Sequence, residues 1–61
     1  MSAIEKIAAE LDYQLEWAAW HSERGNVESA AIHRGTAAGL KRALAILTAA
    51  EAGAAAEQTT H

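Results

Sequence analysis

The chain has no cysteine, no proline and no phenylalanine among its 61 residues. Without cysteine there is no disulfide to staple a small fold and no thiolate for a metal or a nucleophilic role, which fits a reducing compartment. With no proline or phenylalanine and few β-branched residues, strands have little support. Cations are scarce too: five Lys and Arg stand against eight Asp and Glu, a formal net charge of −3. That balance supplies no electrostatic footprint for nucleic acid and no attraction to anionic lipid. Long apolar runs are also missing. The longest uncharged stretch in helical territory, ALAILTAA at 43–50, is far short of the roughly 20 residues that span a bilayer. The chain also opens without a basic-then-apolar leader pattern. These features predict a cytoplasmic protein with no membrane partner.

What the sequence has in abundance is alanine. It accounts for 17 of the 31 apolar residues, and only nine are Leu or Ile. Alanine favours helix strongly but buries little surface. A chain this short buries only about 60% of its unfolded surface, so a small fold needs a staple. With disulfides excluded, a partner or a second copy is the staple that remains.

Punctuation defines two helices. Ser2 followed by Glu5 reads as a capping box that starts the first helix at Ala3. In the run Arg24-Gly25-Asn26, the glycine can take the left-handed conformation that ends a helix. The arginine suits the negative end of the dipole, and the asparagine caps the next helix. The second helix is expected from Val27 to about Ala52, where Gly53 would stop it, leaving 53–61 as a flexible tail. A two-residue connection folds the helices back antiparallel. The fold class predicted is therefore all-α: an antiparallel two-helix hairpin, about 3–24 and 27–52, that dimerises into a four-helix bundle.

Placed at 100° intervals, the first helix carries an aliphatic stripe of Ile4, Ile7, Ala8, Leu11, Leu15 and Ala18, ending at Ser22. The second carries Ser29, Ile32, Thr36, Leu40, Ala43, Leu44 and Leu47. This pairing sets Ile4 opposite Leu47, Leu11 opposite Leu40 and Leu15 opposite Thr36. On the same wheel Tyr13, Trp17 and Trp20, the only three aromatic residues, lie within about 60° of one another and nearly opposite the stripe. Three exposed rings would form a patch larger than a monomer usually carries.

A second unusual feature is GTAAG, with Gly35 and Gly39 inside a helix, extended by Ala31 and Ala43 into a row of small residues at i, i+4 spacing. An interior glycine costs roughly 0.5–1 kcal/mol relative to alanine, and a smooth row lets another helix or a flat ring approach the backbone. The expected interface therefore comprises Tyr13, Trp17, Trp20, Arg24, Ala31, Gly35, Gly39 and Ala43, with the two indoles over the Gly35/Gly39 groove of a second copy. Arg24, four residues past Trp20, is placed to lie on that indole.

The remaining candidates for chemistry are weak. His21, His33 and His61 lack the spacing of a zinc site. His21 and His33 could approach across the hairpin with Glu28 nearby, but no metal and no other cofactor is predicted. Ser2, Ser22 and Ser29 have local capping roles. Glu5, Asp12, Glu16 and Glu23 line one side of the first helix, where two short helices enclose no pocket to shift a pKa. No catalytic residue is predicted and the chain is not expected to be an enzyme. Arg34, Lys41 and Arg42 are expected on the outer side of the second helix, where they could help set helix register. The function predicted is a small self-associating helical interaction or regulatory module. The alternative is an inhibitor or adaptor that binds a foreign protein through Tyr13, Trp17 and Trp20. Nucleic-acid binding through a basic strip assembled by dimerisation ranks third.

Overall fold

The computed structural model describes residues 2–59, and side chains through residue 55. Two helices make up the fold: α1, Ala3–Glu23, and α2, Val27–Thr59. They run antiparallel and pack on each other as an elongated hairpin of 55 × 19 × 11 Å.

Both ends of α1 are set by local chemistry. The Ser2 hydroxyl accepts from the Glu5 amide at 3.1 Å and donates to Glu5 Oε1 at 3.3 Å. The cap is made, with the glutamate bonded to the serine hydroxyl. At the other end the Asn26 amide donates to the His21 carbonyl at 2.9 Å and the Gly25 amide to the Ser22 carbonyl at 3.1 Å. This double closure requires a left-handed residue after the cap. Gly25 supplies it at φ 75°. Asn26 then accepts at its own carbonyl from the Ala30 amide, opening α2.

α2 does not stop at Gly53 but continues through it to Thr59, so the helix end expected near Ala52 is corrected. Gly53 is flanked by Ala52 and Ala54, and the high helix propensity of alanine outweighs the roughly 1 kcal/mol that an interior glycine costs. The expected tail of 53–61 is thus helical as far as Thr59, while Thr60 and His61 lie outside the described residues. At 1.5 Å per residue α2 outruns α1 by about 18 Å.

The seam follows a spacing of alternating three and four residues. On α1 the inward positions are Ile4, Ile7, Leu11, Gln14, Ala18 and His21, and on α2 Ala30, His33, Ala37, Leu40, Leu44 and Leu47; all are buried or half-buried. This is a heptad repeat of 3.5 residues per turn, which drifts by about 20° per heptad against a straight 3.6-residue wheel. The drift corrects the expected stripes near the turn. Gln14 replaces Leu15 in the seam, and His21 replaces Ser22. Opposite them, Ala30, His33 and Ala37 replace Ile32 and Thr36. Leu15 and Ile32 are left 48% and 69% exposed.

The two ends of the seam differ in character. Away from the turn, Ile4, Ile7 and Leu11 meet Leu40, Leu44 and Leu47. Nearer the turn the only buried residues are alanines, with Ala18, Ala30 and Ala37 at 3%, 1% and 3% exposure. Small residues there let the backbones approach closely, and the space at the edges is filled by Gln14, His21 and His33.

Candidate interaction surface

In an antiparallel heptad pair, the residues that immediately precede the two core positions of each heptad fall on one side of the seam on both helices, and those that immediately follow them fall on the other. On α1 this side carries Tyr13, Trp17, Trp20 and Arg24. On α2 it carries Ile32, Thr36, Gly39, Ala43 and Ile46. The opposite side carries Leu15 on α1 and Arg34 and Lys41 on α2. The hairpin is thus a ribbon with two different faces.

The aromatic face is built around Trp17. Its indole lies edge-on to Tyr13 at 6.1 Å and to Trp20 at 5.4 Å between ring centroids. It also reaches across to α2, lying nearly parallel to His33 at 6.3 Å with an interplanar angle of 23°. The rings are therefore not opposite the packing seam, as a straight wheel suggests. Near the turn the seam has rotated toward them, so Trp17 occupies its flank. Trp17 remains 36% exposed, Trp20 42% and Tyr13 50%.

Beneath the rings lies a polar network with no counterpart at the other end of the seam. His21 and His33 do meet across the hairpin, stacked at 5.3 Å with 12° between planes. His33 Nδ1 donates to Gln14 Oε1 at 2.6 Å, and Gln14 Nε2 donates to Glu10 Oε1 at 3.0 Å. Asn26 Nδ2 donates to His21 Nδ1 at 3.4 Å. Each imidazole thus has one nitrogen tied to a side chain that fixes its orientation. Among the described residues no three His, Asp or Glu side chains gather as a metal site.

Arg24 completes this face. Its guanidinium carbon stands 3.6 Å from the Trp20 ring centroid, and Nη1 donates to the Trp20 carbonyl at 3.1 Å. A planar cation over an indole is attracted by the ring quadrupole, and here it also bonds a carbonyl in the last turn of α1.

The small-residue row is open. Ala31, Gly35 and Gly39 are exposed and Ala43 is half-buried. A Cβ added at Gly35 or Gly39 would meet nothing within 4 Å. Among the described residues, no group therefore requires these glycines. The row also crosses α2 obliquely, so Gly39 and Ala43 share the aromatic face while Gly35 and Ala31 turn to the outer edge.

On the other face, Leu11, Leu15, Ala37 and Ala38 line an open groove of about 230 Å³ with Arg34 and Lys41. These two cations sit beside the seam and not on the outer side of α2, because both follow a core position in the heptad; Arg42 alone points outward. No described helix is long and apolar enough to cross a membrane. No family model matches the chain, and no curated protein or solved structure matches it either.

Proposed function

We propose that the hairpin is one half of a four-helix assembly of two copies, and that it works by binding and not by catalysis. The observation that carries this reading is the lack of a sizeable buried side chain among the described residues: the buried ones there are alanines, while Tyr13, Leu15, Trp17, Trp20, Val27, Ile32 and Ile46 are exposed. Burial of a Leu, Ile or aromatic side chain contributes about 1.5–3 kcal/mol. A single hairpin leaves most of that stabilisation unused. The aromatic face is the contact, with Tyr13, Trp17, Trp20 and Arg24 of one copy covering the surface about Gly39 and Ala43 of the other, and Ala31 and Gly35 at its rim.

Tryptophan emission tests the reading. At micromolar concentration the indoles should emit in the blue and resist iodide quenching, and dilution should shift the emission red as copies separate. Red, fully quenchable emission at every concentration counts against it.

A second reading is supported by the make-up of the same face. Clustered Trp and Tyr with an Arg stacked on one ring is the composition of energetic hot spots in contacts between different proteins. In that case the face binds a foreign partner, and the free chain keeps its indoles in water.

A further inference from the structure

We infer that two copies mate with their turns at the same end, related by a twofold axis parallel to the helices, so that α1 of each lies over α2 of the other. This deepens the self-association reading and rests on it. The inference comes from the unequal halves of the aromatic face. Its α1 half is bulky, carrying Tyr13, Trp17 and Trp20, all exposed. Its α2 half is low and uncharged, with Gly39, Thr36 and Ala43 between Ile32 and Ile46.

A twofold contact is made by the same patch on both copies. If the axis ran across the helices, α1 would meet α1 and α2 would meet α2. Rings would collide with rings while a gap opened over Gly39. If the axis runs along the helices, each bulky half meets a low half.

Heights along the hairpin agree with this. Across an antiparallel pair joined by this turn, residues at the same level have numbers adding to about 51. Tyr13 is then level with Ala38, Trp17 with Arg34 and Trp20 with Ala31. The nearest residues on the aromatic side of α2 are Gly39, Thr36 and Ile32. In a second copy related by the parallel axis these heights are unchanged, so Tyr13 comes over Gly39, Trp17 over Thr36 and Trp20 against Ile32. Charge is compatible as well: no residue on the aromatic side of α2 from Ser29 to Ala50 is charged, so the rings meet no charged group there.

The area suffices. The paired part of the hairpin is about 32 Å long, at 1.5 Å per residue of α1, and the molecule is 19 Å wide. One face therefore offers about 600 Å² per copy, and about 1,200 Å² in total is where stable, specific interfaces begin.

Distance measurement between spin labels distinguishes the arrangements. Ala52 is exposed, beyond the reach of α1, and has no role in the hairpin. With Ala52→Cys labelled, the inferred arrangement puts the two labels under about 30 Å apart, from helix spacings of about 10 Å plus the label arms. An axis across the helices carries them beyond about 40 Å, and that result overturns the inference while leaving self-association standing. A labelled chain that gives no intermolecular distance and sediments at the mass of one copy overturns both.

Discussion

His33 donates from Nδ1 to Gln14 Oε1 at 2.6 Å across the seam between the helices. Gln14 is held the right way round for this because its Nε2 is committed to Glu10. A half-buried polar pair of this kind contributes little net stability while it is intact, but either partner alone is costly.

Gln14→Ala should therefore lower stability by about 1–3 kcal/mol, since it leaves a half-buried donor without its partner. Adding His33→Ala should cost less than it does in the parent chain, with a coupling of at least about 0.5 kcal/mol in the double-mutant cycle. Thermal melts at one fixed chain concentration measure all four variants, and strictly additive effects would show that the contact is unimportant.

The glycines should divide by position. Gly25 sits at φ 75°, where a side chain costs about 1–2 kcal/mol, so Gly25→Ala should lower the melting temperature. Gly53 is helical with open space around it. Gly53→Ala should raise helix content and add about 0.5–1 kcal/mol of helix stability. Circular dichroism reads both. A loss of helix in Gly53→Ala would contradict the continuation of α2 to Thr59.

Much of this architecture is legible in the sequence. The cap at Ser2, the turn at Gly25, the two antiparallel helices and the placement of Arg24 on Trp20 all follow from local residue chemistry. The seam near the turn does not, because a fixed 100° step hides the heptad drift. Ile4, Ile7 and Leu11 are placed correctly, but the error grows along α1 until Leu15 stands in for Gln14. Apolar preference compounds it, since a seam made of Gln14, His21 and His33 looks polar until the alternating spacing is followed through Ala18, Ala30 and Ala37. The contact of Trp17 with His33 is missed for the same reason. The proposed interface with a second copy is announced in the sequence only by the clustered rings and the row of small residues, and neither carries its arrangement.

Arg24→Ala should remove both the stacked cation and the bond to the Trp20 carbonyl. On an exposed ring the loss should be about 0.5–1 kcal/mol. Trp20 emission should become more accessible to iodide. An unchanged melt together with unchanged quenching would mean that the guanidinium contact contributes nothing in solution.

Sedimentation equilibrium at micromolar concentration, on the parent chain and on Trp17→Ala/Trp20→Ala, tests self-association through the aromatic face most directly. The parent should sediment at twice the 6.4 kDa chain mass, and the double variant should fall to the single-chain mass with an unchanged helical signature at low temperature. A parent chain that sediments at 6.4 kDa and still melts cooperatively would contradict the account.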